Sequence, residues 1–197
     1  MNMTIVDVKY KEMKKTLAQI PDDQALVIGA LAVERLWQPF LIGISKCTYF
    51  EQGREAVIQL EGKCLDIIWT RMQRGFVQES DWEEYCELFD QIEELSAEVD
   101  LNYEAKSFYC AVGDFAYWCL KPCEKIEVAG IAVCALELMV ELMAEPEDVT
   151  EEDQTVNAEI RRINTDIELA RNYPENIDLI MQKRAEYHAL NINSVCS

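Results

Sequence analysis

The sequence predicts an all-α fold, with seven or eight helices in one compact domain (1–197) around a central apolar helix at about 126–143. Three observations carry this. Residues 126–143 read IEVAGIAVCALELMVELM, and their only charges, Glu127, Glu137 and Glu141, share one narrow face at helical periodicity. Apolar residues elsewhere recur at helical spacing. Strand alternation, Asn-Gly or Asp-Gly turns and solenoid-length repeats are missing, and no linker rich in Gly, Ser or Pro divides the chain. A helix that is apolar over most of its circumference is a core helix or a membrane span. A span needs ~20 apolar residues, and a carboxylate near mid-bilayer costs ~2.5–3.5 kcal/mol. The core helix is the better reading.

The other elements follow in order. Residues 4–19 carry Ile5, Val8, Met13 and Leu17 among lysines, an amphipathic helix that Pro21 ends. Asp22 and Asp23 open a mostly apolar helix over roughly 22–42, where Pro39 is a kink or stop and Gly43 a left-handed cap. Residues 51–74 repeat Val57, Leu60, Cys64, Ile67, Ile68 and Met72, with Gly75 as C-terminal cap and Arg71 and Arg74 set against the dipole. Ser80 and Glu83 form a capping box for an acidic helix reaching about Val99, whose buried stripe is Trp82, Tyr85, Cys86, Leu88, Phe89, Ile92 and Leu95. The aromatic-rich helix 102–120 is assigned to core packing, because the surrounding negative charge disfavours stacked bases. Pro122 starts the central helix, and Thr150 and Asp153 cap an amphipathic helix over 151–171. Pro174 opens the last helix.

Half of the 197 residues are apolar, so the chain can bury a sizeable core. The amino terminus has no apolar stretch of signal-peptide length, which points to the cytosol. Reduced cysteines fit that compartment, and Cys64, Cys86, Cys110 and Cys134 read as buried thiols. Cys119 and Cys123 have ligand-like spacing, but structural zinc takes four ligands and the single histidine, His188, is distant. No metal or cofactor is expected.

The net charge is −19, and its distribution is the sharper signal. Between Arg74 and Lys106 lie eleven acids and no base; between Lys125 and Arg161 lie ten more. The other 16 acids face all 18 bases, so the remainder is near neutral. Two segments without Lys or Arg make a single-signed field, which repels nucleic acid and anionic lipid and steers a cationic partner. Acidity for solubility alone is the alternative.

Catalytic signatures are missing. A histidine-based triad would have to use His188, read as a surface or hinge residue. There is no phosphate loop, HExxH, GxSxG or Glu-x-x-His pair. A carboxylate-only, magnesium-assisted hydrolase leaves no motif to read, and the protein is expected not to be an enzyme.

Two stretches carry a resemblance. Ala32-Val33-Glu34-Arg35-Leu36-Trp37-Gln38-Pro39-Phe40 resembles the early E-R-aliphatic-aromatic-Pro element of the bacterial family of domain of unknown function 416, and Leu65-Asp66-Ile67-Ile68-Trp69 its L-D-x-x-W helix. The Glu-bearing central helix and Asn191-Ile192-Asn193 fall in similar places. The proline here lies one residue late, and residues 145–153 diverge. The resemblance implies an all-helical fold; it carries no activity or functional residue over to this chain. Its motifs read as structural, with Glu34 or Asp66 holding Arg35 or Arg71 between helices.

The functional expectation is an immunity-type protein that neutralises a cationic, nuclease-type bacterial toxin by direct binding, since nuclease toxins are basic. The contact face is placed on Asp81, Glu84, Glu87, Asp90, Glu94 and Glu98, with Trp82 as anchor. Glu147, Asp148, Glu151, Glu152 and Asp153 would flank it. No direct nucleic-acid or membrane contact is expected. The alternative is a housekeeping helical protein, possible as a homodimer.

Overall fold

The computed structural model describes residues 4–47, 53–96, 101–120, 128–143 and 149–190. Among these residues there are nine helices and no strand: α1 (Ile5–Leu17), α2 (Asp22–Arg35), α3 (Trp37–Lys46), α4 (Arg54–Arg74), α5 (Glu79–Ser96), α6 (Tyr103–Leu120), α7 (Val128–Glu141), α8 (Gln154–Ala170) and α9 (Ile177–His188). The all-α class holds. α2 and α3 are the single apolar helix read over 22–42, broken at Leu36. Pro39 has no N–H to offer the Arg35 carbonyl, so the turn tightens: Leu36 N–H bonds to the Val33 carbonyl at 3.0 Å before Phe40 N–H resumes the helical pattern on the Leu36 carbonyl at 2.9 Å.

The apolar helix α7 lies inside, against α1, α2, α6 and α8. Glu137 and Glu141 stay exposed, as their shared face requires; Glu127 and Pro122 fall outside the described residues. α2 is equally central. It packs against α3, α4, α6, α7, α8 and α9, and eleven of its fourteen residues are buried. The stretch Asp22–Lys46 is long and apolar enough to cross a membrane, and 83% of its most apolar window is buried inside the fold. Gly29 makes the α2–α6 approach possible: a Cβ there would stand 2.1 Å from Phe115 Cε2.

The interior holds charge as well as hydrocarbon. Arg35, Glu159 and Asp166 are all fully buried. Arg35 Nε lies 2.6 Å from Glu159 Oε1, close enough for an ion pair though not aligned as a hydrogen bond, and Arg35 Nη1 donates to Asp166. The Tyr187 hydroxyl donates to Asp166 at 2.9 Å. Burial pushes the Asp166 carboxyl up to about 6 even though Arg35 pulls it down. Glu34, also fully buried, accepts from Trp69 Nε1 at 2.7 Å, pairs with His188 Nδ1, and has Arg184 Nε at 3.4 Å. The expected pairing is therefore corrected: Arg35 belongs to Glu159 and Asp166, and Asp66 to Arg184 at 2.7 Å. A buried guanidinium takes the carboxylates its helix faces in the core, and sequence neighbourhood does not decide which those are.

Four smaller expectations also change. Gly43 lies inside α3 and is small because a Cβ would come within 2.7 Å of Asn102 Oδ1 and 2.8 Å of the Ala105 nitrogen. Gly75 does take the left-handed cap, at φ 80°. α5 starts before Ser80, because the Asp81 carboxylate accepts the Gln78 N–H at 2.7 Å. Leu95 and Cys110 are exposed, the first near the end of its stripe and the second on the outer side of α6.

Candidate partner-binding site: an acidic helix beside an aromatic groove

α5 leans on α4 and only lightly on α6. Its apolar stripe buries Tyr85, Leu88 and Ile92. The opposite side exposes Glu84, Glu87, Asp90 and Glu94, and the helix contains no basic residue. Glu87, Asp90 and Glu94 fall one turn apart, so their charges form a row. Among the described residues none of these four makes an ion pair with a base. Asp81 does not belong to the row. It is buried, pairs with Arg74 and caps the helix, so it is withdrawn from the contact face. Glu98 lies outside the described residues.

Trp82 is half-buried in the wall of a groove between α5 and α6. It stacks on Tyr85 at 5.8 Å between ring centroids and meets Tyr117 edge-on at 5.6 Å. Further along, Tyr85 contacts Phe89 at 5.9 Å, and Phe89 stacks on Tyr109 at 5.4 Å with 22° between planes. The groove holds about 440 Å³ and carries a carboxylate from each helix, Asp90 and Asp114. Gly113 keeps it open: a Cβ there would make ordinary contacts of 3.7 Å to Phe89 Cε2 and 3.8 Å to the Tyr85 hydroxyl. The α6 aromatics therefore divide. Phe108 and Phe115 are fully buried, as expected of core residues, whereas Tyr109 and Tyr117 line the groove. The choice of Tyr over Phe at 85, 109 and 117 was the available signal, since a phenol suits a boundary with one wet edge.

Buried titratable groups lie at the base of this arrangement. The Tyr85 residue is 4% exposed, and its hydroxyl makes no hydrogen bond among the described residues. Burial pushes that phenol up, with the Cys64 and Glu61 charges adding to it. Glu61, on α4, is 2% exposed, and burial alone pushes its carboxyl up to about 8. Tyr109 is pushed up to about 12 by burial first and then by Glu93.

The second acidic block sits elsewhere. Glu151 pairs with Lys9 of α1 at 2.9 Å, Asp153 accepts the Thr150 N–H at 3.0 Å, and Glu152 is exposed. Thr150 and Asp153 do pair, but α8 begins only at Gln154. α5 has α4 and α6 as its main neighbours, whereas this turn pairs with α1. Glu147 and Asp148 lie outside the described residues.

His188 is better held than the sequence suggested. Its ring stacks on Trp37 at 5.2 Å and its Nδ1 meets Glu34, beside a cleft of about 570 Å³ that Asp66 and Arg184 also line. Among the described residues no Ser, Thr, Cys or Lys lines that cleft, and Arg184 is shared between Glu34 and Asp66. The cluster clamps α9 onto α2 and α4. Among the described residues no group of three or more His, Cys, Asp or Glu is placed to hold a metal ion. Cys119 is buried, with its thiol pushed up to about 12 by burial, and Cys123 lies outside the described residues.

Compared with known proteins, the chain matches no family model, no curated sequence and no solved structure.

Proposed function

We propose that this chain is an acidic binding protein of the immunity type, which neutralises a cationic, nuclease-type toxin in the bacterial cytosol by direct contact through α5. The observation that carries the reading is the row Glu84, Glu87, Asp90 and Glu94, exposed, without an ion pair among the described residues and next to an aromatic groove. Charges of one sign on a surface helix accelerate encounter with a basic partner, and buried aromatics supply the affinity that rim charges do not. The contact face is accordingly narrowed to these four acids with Trp82.

The likeness to the family of domain of unknown function 416 is proposed on the same footing. Its two motif stretches meet through the Trp69–Glu34 hydrogen bond, which supports a structural role for both.

The test is affinity capture from the native host at low and then moderate salt, followed by co-expression of the recovered polypeptide. The expected result is one basic protein in near-equal amount whose toxicity this chain relieves, with the quadruple variant E84K/E87K/D90K/E94K losing both capture and rescue. Unchanged rescue by that variant would remove α5 from the contact face. A stable homodimer burying α5, seen by sedimentation, would overturn the reading.

A further inference from the structure

We infer that the α5–α6 groove is an arginine subsite, built to receive one guanidinium side chain from a basic protein partner. This rests on the binding-protein reading and names the chemistry of its anchor. The walls are flat aromatic faces: Trp82 and Tyr85 lie 27° apart, Phe89 and Tyr109 22° apart. A planar, weakly hydrated cation stacks on such faces, whereas an ammonium carries a tighter hydration shell. Asp90 on α5 and Asp114 on α6 stand at the rim, where a fork of five N–H donors can reach a carboxylate while the plane stays stacked.

The Tyr85 hydroxyl gives a second, independent indication. Among the described residues it is an acceptor with no partner, inside a residue 96% removed from solvent, and it ends across from Gly113 in the groove wall. An orphan buried polar atom is uncommon and destabilising, so a donor that enters the groove recovers that loss. Gly113 is the element that leaves the space. With a volume of about 440 Å³, the groove takes a side chain of arginine size and not a whole helix.

The probe is an acetylated, amidated Gly-Arg-Gly-Arg-Gly peptide, titrated into the full chain and followed by tryptophan fluorescence and tyrosine ring NMR. Its citrulline counterpart has the same shape without the charge, and its lysine counterpart has the charge without the plane. The expected result is saturable shifts at Tyr85 and Tyr109, with both counterparts at least tenfold weaker. Gly113→Leu fills the groove while leaving every α5 acid in place, and it should weaken the arginine peptide at least tenfold. Should that variant unfold, D90N/D114N provides an exposed, isosteric substitute that removes the preference for arginine over citrulline. Equal binding of arginine and citrulline peptides, or of arginine and lysine peptides, overturns the subsite. A partner that binds Gly113→Leu as tightly as the wild type overturns the subsite but leaves the immunity reading standing. Selective arginine binding in a protein that captures no toxin keeps the subsite and removes that reading.

Discussion

Glu61→Gln should stabilise the protein, and the gain should grow with pH. Glu61 sits on α4 at 2% exposure, and burial raises its carboxyl from 4.5 to about 8. A carboxyl that binds its proton more tightly in the folded chain imposes no penalty below pH 4.5, where both states are protonated. Between 4.5 and about 8 the unfolded chain ionises and the folded one does not, so stability falls as pH rises, at about 1.4 kcal/mol per pH unit for this group. The wild-type penalty then increases by about 2.5 kcal/mol from pH 5 to pH 7. Glutamine keeps the shape and removes the titration. Urea unfolding of both proteins at pH 5, 6 and 7 isolates the effect, because every other group cancels in the difference. The expected difference favours the variant increasingly with pH. A difference that stays flat across that range would show that Glu61 is ionised and solvated in the fold, and the reasoning would fail.

The other interior predictions follow from the same structure. Arg35→Met leaves Glu159 and Asp166 facing each other without a cation, at 0% exposure, and should cost about 3–5 kcal/mol in denaturant unfolding near neutral pH. Arg35 holds the Asp166 carboxyl down, so in the variant that carboxyl keeps its proton to higher pH; the loss should shrink as pH falls toward about 6 and level off below it, where Asp166 is protonated in both proteins. Gly29→Ala drives a methyl to within 2.1 Å of the Phe115 ring and should lower stability by about 1–3 kcal/mol, read as a fall in Tm. Gly113→Ala meets ordinary contacts and removes a mid-helix glycine, so it should raise Tm slightly, by about 0.5–1 kcal/mol in stability.

The helices were legible because each carries its own periodicity, and the two most apolar stretches, now α2 and α7, were recognisable by composition alone. Local signals that involve one helix survived: the Gly75 cap and the exposed Glu137–Glu141 face are where the pattern puts them. Signals that depend on a neighbour did not. Ser80 looks like the better cap, but Asp81 has Arg74 beside it and takes the Gln78 amide. Arg35 finds carboxylates more than a hundred residues away, which no spacing rule anticipates. The acidic face of α5 follows from counting charges, whereas the groove arises between two helices whose aromatics each look like core when read one helix at a time.

The segregation of charge on α5 has a cost that separates function from solubility. Glu87 has Glu83 and Glu84 one turn before it and Asp90 one turn after it, with no base on the helix. Like charges at these spacings destabilise a helix by about 0.2–0.5 kcal/mol per pair, and the turn spacing of about 5.4 Å lies within the screening length of about 8 Å at physiological salt. Several bases elsewhere are committed to acids outside α5: Arg35 to Glu159, Arg184 to Asp66, Lys46 to Glu104, Lys9 to Glu151. A surface selected only for solubility would be served as well by acids mixed with lysines, without the self-repulsion. Glu87→Gln should therefore stabilise the chain by about 0.5–1.5 kcal/mol at low salt, with the gain fading as salt rises, while slowing association with a basic partner. Thermal melts in 20 mM and 500 mM salt, paired with stopped-flow association rates, read both arms. A variant no more stable than the wild type at low salt would show that the row is already neutralised, and a stabler variant with an unchanged association rate would leave α5 as ordinary surface.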